Sequence, residues 1–260
     1  MTGTPPAAGD TLLLVAAVPL ETNLLRREIP FTTTDQPFTP ASAEAFGRRL
    51  ILVHSGIGKA GAAAAVAATL AVSPAALVLN FGVGGAYPGR GLSVGDLAIA
   101  EAEIYGDEGA LTPEGFLDLE ALGLPLLQCD GHRLFNRLPL AGPLLDSVRP
   151  MVEKFATDAG RRCAGGPFVT VSTCSGTSAA ATALAHRTGG LCENMEGAAI
   201  AQVCALHRLP FIELRGISNL AEDRDLSRWD LPGAAEIAQR AVIALLARWG
   251  ESKEERCPKS

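Results

Sequence analysis

Arg49-Leu-Ile-Leu-Val-His54 opens directly into Ser55-Gly-Ile-Gly-Lys59 and then an alanine-rich stretch, Ala60 to Ala71. An unbroken apolar run of strand length predicts a strand buried on both faces, since a half-solvated strand would alternate polar and apolar residues. Small side chains after a glycine turn predict a helix lying close on that sheet. Toward the N-terminus, Thr11 to Ala17 repeats the apolar run and ends at Pro19, with a helix expected over Glu21 to Glu28. Toward the C-terminus the same reading gives strands over Ala75 to Asn80, Leu97 to Ile104, Phe168 to Ser172 and Phe211 to Gly216. Helices fall over Pro143 to Ala159, Ser178 to His186, Glu196 to Leu206 and Ala234 to Trp249. Gly82, Gly84, Gly85 and Gly89 mark a loop that must approach something closely or adopt positive φ. Gly106 to Leu127, broken by Pro113 and Pro125, reads as an irregular excursion of functional or interfacial character. Alternating strands and helices predict an α/β fold: one domain over residues 11–249, a mixed sheet flanked by helices, with residues 1–10 and 250–260 as disordered tails.

Composition narrows the function. With 260 residues the chain is long enough for one large core, and its net charge of −6 without a basic stripe argues against a nucleic-acid partner. Leu12 to Val18 is too short to span a membrane and no positive segment precedes it, which predicts a soluble cytoplasmic protein. The cysteines Cys129, Cys163, Cys174, Cys192, Cys204 and Cys257 form no C-x-x-C pair and read as reduced thiols. Cys129 with His132 and Cys204 with His207 have C-x-x-H spacing, but two such pairs arise easily by chance and no metal is expected.

Gly56-Ile-Gly-Lys-Ala-Gly61 matches G-x-G-x-x-G between a strand and a helix, so a dinucleotide site has to be weighed. The next strand ends Leu77-Val-Leu-Asn80 and offers no acid for a ribose hydroxyl, so the glycines are better explained by close helix packing. There is no P-loop, no G-x-S-x-G elbow and no H-E-x-x-H.

Polar residues gather where apolar strands give way to turns, the usual place for ligands in α/β sheets. The segments are Pro19-Leu-Glu21, Asn80-Phe-Gly-Val-Gly-Gly85, Asn194-Met-Glu-Gly-Ala-Ala199 and Arg215-Gly-Ile-Ser-Asn219. With Gly-Ile-Gly-Lys59 and Val94-Gly-Asp96, these ordered pieces resemble the nucleoside phosphorylase and nucleosidase superfamily, above all the methylthioadenosine/S-adenosylhomocysteine nucleosidases and the futalosine hydrolases. The resemblance runs from Leu12 to about Trp249 and implies a nucleoside phosphorylase-like fold. It implies that Met195 and Glu196 hold the ribose, that Glu21 activates water, and that Arg215 helps hold that water. Each has a plainer alternative: core packing for Met195, a helix-dipole acid for Glu196, an exposed helix acid for Glu21 and a structural ion pair for Arg215.

Ser218-Asn219 distinguishes the base. Adenine-cleaving relatives carry Ser-Asp here, whereas a carboxamide offers both a donor and an acceptor to a 6-oxopurine. Leu220 to Trp229, Tyr105 to Phe116 and Thr170 to Gly176 are similar to the futalosine hydrolase versions of these loops. The implied activity is therefore hydrolysis of the N-glycosidic bond of futalosine, releasing hypoxanthine, in the futalosine route to menaquinone. By position, Val83, Gly84, Gly85, Thr173, Cys174, Ser175 and Trp229 should line the substrate pocket, Cys174 as a small wall residue. Futalosine ends in a benzoate, for which Arg90, Arg133, Arg137 and Arg224 remain open as partners. Only the nucleoside and water are required, with no cofactor, and a homodimer with Gly106 to Phe116 near its interface is expected. The alternatives are another purine nucleosidase, a 6-oxopurine phosphorylase, a catalytically inactive nucleoside-binding protein and an NAD-dependent oxidoreductase.

Overall fold

The computed structural model describes residues 10–32, 38–129 and 131–251. Along β1 (Thr11–Ala16) the side chains feed two separate cores. Leu13 and Val15 join Ile51, Val53 and Val66 on one face, while Leu12 and Leu14 join Leu50, Leu52, Val242 and Leu246 on the other. The unbroken apolar runs thus mark strands held between two helical layers.

A 3-10 turn, Pro19–Thr22, leads into α1 (Asn23–Glu28). The antiparallel pair β2 (Ala41–Ala45) and β3 (Arg48–His54) follows, then α2 (Lys59–Val72) and β4 (Leu77–Ala86). Next come β5 (Leu97–Tyr105), β6 (Gly109–Thr112), β7 (Gly115–Asp118), β8 (Leu127–Cys129), β9 (His132–Leu134), β10 (Arg137–Pro139) and α3 (Pro143–Asp158). The chain ends with β11 (Cys163–Thr170), α4 (Ser178–Thr188), β12 (Cys192–Asn194), α5 (Gly197–Leu206), β13 (Phe211–Leu220) and α6 (Leu231–Glu251).

β3, β1, β4 and β13 lie side by side and parallel. The sheet then curls, because β13 pairs with β5, β5 with β11, β11 with β12, and β12 back with β4. These last five strands form a closed circuit, and closure leaves their backbone groups paired instead of exposed at edges. The mixed α/β architecture is the one the sequence predicts; the closure depends on pairings between distant segments that local patterns do not encode.

Three local expectations change. Gly82, Gly84 and Gly85 sit inside strand β4, not in a loop, because β13 alongside supplies the hydrogen-bonded ladder that overrides their low strand preference. Only Gly89 of that group has positive φ, at 78°. The excursion Gly106 to Leu127 is ordered by two hairpins, β6 with β7 and β8 with β9. Strand β13 continues past Gly216 to Leu220, and β11 ends at Thr170.

One long-range tie fixes the first turn. Gln239 of α6, only 2% exposed, accepts from the amides of Leu24 and Leu25 at 2.7 and 3.1 Å and donates to Leu20 O at 3.4 Å. It thereby satisfies amides at the start of α1 that have no partner within the helix. No helix among the described residues is long and apolar enough to cross a membrane. Of the tails expected over residues 1–10 and 250–260, residues 250 and 251 instead continue helix α6, while residues 1–9 and 252–260, and Cys257 with them, lie outside the described residues.

Candidate active site

Glu21 leaves β1 on the 3-10 turn and not on the helix expected from the sequence, and it is buried. Its Oε2 accepts from the amides of Ala17 and Val18 at 2.9 and 3.2 Å, and Oε1 from Val83 at 2.8 Å. The exposed-acid alternative is therefore excluded. Burial raises the Glu21 pKa above the usual carboxylate value, while the Arg215 charge and the Val83 amide pull it back.

Strand pairing places Arg215 opposite Gly82. A Cβ on Gly82 would overlap Glu21 Oε1 and stand 2.9 Å from Arg215 Nη1, so the absent side chain makes room for both groups. Arg215 is buried; its Nε donates to Glu213 Oε1 at 2.8 Å and its Nη1 to Val83 O at 3.2 Å. Nη2 lies 3.6 Å from Glu196 Oε2 and has no hydrogen-bond acceptor among the described residues. Arg215 is thus ion-paired, as the plainer alternative holds, and also presents Nη2 beside the Glu196 carboxylate.

Glu196 stands at the N-terminus of α5 without capping it. Its Oε1 instead accepts from Gly58 N at 2.9 Å. This assigns the G-x-G-x-x-G segment a use: Gly56 and Gly58 take positive φ of 70° and 94°, and the turn aims an amide at Glu196. Lys59 anchors the turn through Asp107 and Glu108 at 2.6 and 2.7 Å.

At the far end a bulge lies in β13 between Ile217 and Asn219, and it brings the neighbours Ser218 and Asn219 to the same cavity. Ser218 Oγ donates to Asn219 Oδ1 at 2.8 Å, and Asn219 Nδ2 donates to Leu220 O at 3.0 Å, leaving one N–H of the amide. Asn219 packs against Gly85, where a Cβ would come within 3.0 Å of Nδ2.

These groups enclose one cavity of about 360 Å³. Glu21, Val83, Gly84, Gly85, Cys174, Ser175, Met195, Glu196, Arg215, Asn219 and Trp229 all line it. Thr173 does not; its side chain is exposed on the adjacent turn. A larger groove of about 550 Å³ between α3 and α6 brings together none of the predicted residues.

The sequence reading missed several lining residues, among them Leu20, Ile57, Ser218 and Glu193. Glu193 accepts from Ser175 N at 3.0 Å, and burial raises its pKa. A charged residue inside the strand just before Asn194 was the available signal. Of the four arginines left open, Arg224 alone lines the cavity, with its guanidinium 4.7 Å from the Trp229 ring. Among the described residues, no group of three or more His, Cys, Asp or Glu side chains is arranged to hold a metal. Cys204 is buried, and Cys163, Cys174, Cys192 and Cys204 are free thiols.

A family model described as the phosphorylase superfamily matches residues 11–248. The chain belongs to the phosphorylase superfamily. Within that superfamily it is 37% identical over 229 residues to the futalosine hydrolase of Thermus thermophilus, covering 85% of this chain and 95% of that one. To the futalosine hydrolase of Streptomyces coelicolor it is 32% identical over 242 residues, covering 91% and 94%. A crystal structure of the 5′-methylthioadenosine/S-adenosylhomocysteine nucleosidase from Neisseria meningitidis, in complex with methylthio-immucillin-A, matches with a TM-score of 0.76 at 25% identity. That match covers 92% of this superfamily member and 99% of the other chain.

Proposed function

We propose that the chain hydrolyses the N-glycosidic bond of futalosine, releasing hypoxanthine and dehypoxanthine futalosine in the futalosine route to menaquinone. One observation carries the reading: a carboxamide, Asn219, occupies the end of a cavity that Glu21, Arg215 and Glu196 also line. The remaining Asn219 N–H suits O6 or N7 of a 6-oxopurine, and adenine would leave polar groups unpaired. Named futalosine hydrolases among the relatives support the same substrate.

In this reading Glu196 accepts from the ribose hydroxyls and Met195 packs on the sugar. The C1′–N9 bond breaks with its electron pair passing to the base, where Asn219 stabilises the developing charge. A water molecule, held at Arg215 Nη2, loses a proton to Glu21 as its oxygen bonds to C1′. That proton then passes through solvent to the departed base, giving neutral hypoxanthine and restoring the Glu21 carboxylate. Hydrolysis is favoured over phosphorolysis because Arg215 is already committed to Glu213, and an incoming phosphate would face Glu21 and Glu196. Arg224, beside Trp229 at the cavity wall, pairs with the substrate carboxylate.

Residues 11–249 act as one catalytic domain, cytoplasmic and homodimeric, with Gly106 to Phe116 near the interface. Leu111 at 86% exposure on the β6–β7 hairpin supports that contact, and a fully active monomer by analytical ultracentrifugation would remove it. The deciding experiment follows hypoxanthine release from futalosine and from inosine, with and without phosphate. Release from futalosine in phosphate-free buffer is expected. Activity confined to inosine, or dependent on phosphate, overturns the assignment in favour of a different nucleosidase or a phosphorylase.

A further inference from the structure

Beneath the cavity lie two carboxyl groups that the proposed reaction leaves unused. Glu103 on β5 and Glu213 on β13 have no solvent exposure. They meet over Gly197, the first residue of α5, where a Cβ would overlap Glu103 Oε1 and Glu213 Oε2 together. Each is otherwise held by the scaffold of the site. Glu213 Oε1 accepts from Arg215 Nε at 2.8 Å, while Glu213 Oε2 has no donor among the described residues. Glu103 Oε2 accepts from Thr170 Oγ1 at 2.7 Å, and Oε1 accepts from Asn194 Nδ2 at 3.0 Å. Asn194 passes this constraint to the cavity, since its Oδ1 accepts from the amides of Glu196 and Gly197 at 2.9 and 2.7 Å and so closes the turn carrying Met195.

Two ionised carboxylates cannot remain in contact away from water, because neither solvent nor a second cation offsets their repulsion. The cation at hand is Arg215, whose charge already serves Glu213, Glu196 and Glu21. A single proton resolves the conflict. Placed on Glu103 Oε1, it is donated to Glu213 Oε2, the oxygen that lacks a donor. Burial and the neighbouring Glu213 charge both push the Glu103 pKa upward, in agreement with that placement.

We propose that Glu103 and Glu213 share one proton and act as a positioning pair: Glu213 aims the Arg215 guanidinium, and Glu103 anchors Asn194 so that Met195 and Glu196 face the sugar. Neither residue touches substrate. The catalytic consequence rests on the nucleosidase reading above, whereas the shared proton does not.

Infrared spectroscopy of the wild-type protein at pH 8 tests the proton directly. A protonated-carboxyl band is expected that shifts in heavy water and is lost in both Glu103→Gln and Glu213→Gln. In Glu213→Gln the amide nitrogen donates to the surviving Glu103 carboxylate while its oxygen still accepts from Arg215 Nε, so the pair keeps one negative charge. Its kcat for hypoxanthine release should stay within a few-fold, on the order of the loss of one hydrogen bond or less. In Glu103→Gln the nitrogen that donates to Glu213 Oε2 can no longer accept from Asn194 Nδ2, so kcat should fall further than in Glu213→Gln. The double variant removes that charge and leaves Arg215 free to shift, and its kcat should fall by about 100-fold with a smaller change in KM. Absence of the band in folded wild-type protein, or a double variant with wild-type kcat, overturns the proposal. A wild-type protein that shows the band but releases no hypoxanthine overturns the functional reading and leaves the pair standing. The band is read without any variant having to fold.

Discussion

Replacing Gly82 with alanine should damage catalysis while sparing the fold. Gly82 lies within β4 in ordinary extended pairing with Arg215, so an alanine fits the backbone. Its Cβ would overlap Glu21 Oε1, stand 2.7 Å from Glu21 Cδ and 2.9 Å from Arg215 Nη1. Carbon contacts normally settle near ~3.5–4.0 Å, so the Glu21 carboxyl has to retreat by about 1 Å. Both obstacles are side-chain ends, which can move where a backbone could not. The retreat lengthens the 2.8 Å bond from Val83 N, and loss of one such bond costs about 1 kcal/mol of stability. A misplacement of about 1 Å lowers turnover on the order of 100-fold, or ~2.7 kcal/mol of transition-state stabilisation. Steady-state hypoxanthine release gives kcat, and urea unfolding gives stability. Wild-type kcat in a folded Gly82→Ala protein would refute the reasoning, because Glu21 would then tolerate displacement.

Four further outcomes are expected. Glu21→Gln should lower kcat by roughly 10²–10⁴-fold, the usual range for a lost general base, and undiminished turnover would contradict its role. Glu21 must be ionised to accept a proton and its pKa is raised, so kcat/KM should fall off on the acid side at a pH above the ordinary glutamate value of 4.5. Removing the Arg215 charge in Arg215→Gln should move that limb to still higher pH, and a limb that stays put in a pH–rate profile would show that Arg215 does not stabilise the ionised form. Asn219→Asp should lose hypoxanthine release and gain some activity on adenine nucleosides, whereas unaltered base preference would remove the carboxamide argument. Arg224→Gln should reduce the ratio of kcat/KM for futalosine over inosine by about tenfold, the effect of losing a partly exposed charge-assisted contact of ~1.4 kcal/mol; an unchanged ratio sends the search for the carboxylate partner elsewhere.

Much of this architecture could be read from apolar runs such as Leu12 to Val15 and Leu50 to Val53, because a strand buried on both faces has to be apolar throughout. Glu21, Glu196, Arg215 and Asn219 were also legible, as polar residues at the ends or interruptions of such runs. The glycines were legible only in part. Their close approach was inferred correctly, but Gly82 to Gly85 form a strand because β13 pairs with them, a fact stored some 130 residues downstream. Glu193, Glu103 and Glu213 escaped notice for a related reason: each interrupts a buried strand, and its neighbours in space come from other segments. The bulge at Ser218 shifts which side chains face the cavity, and a period-two reading has no means of placing it. Thr173 was carried in with its neighbours Cys174 and Ser175, yet it does not line the cavity.

The Gln239 bridge to Leu20, Leu24 and Leu25 has a bearing on how the enzyme comes into being. The turn that carries Glu21, the proposed general base, is pinned by a side chain on α6, 215 residues downstream of Leu24. During translation that turn therefore lacks this tie until α6 has emerged, so a chain cut before α6 should release hypoxanthine more slowly than the intact one.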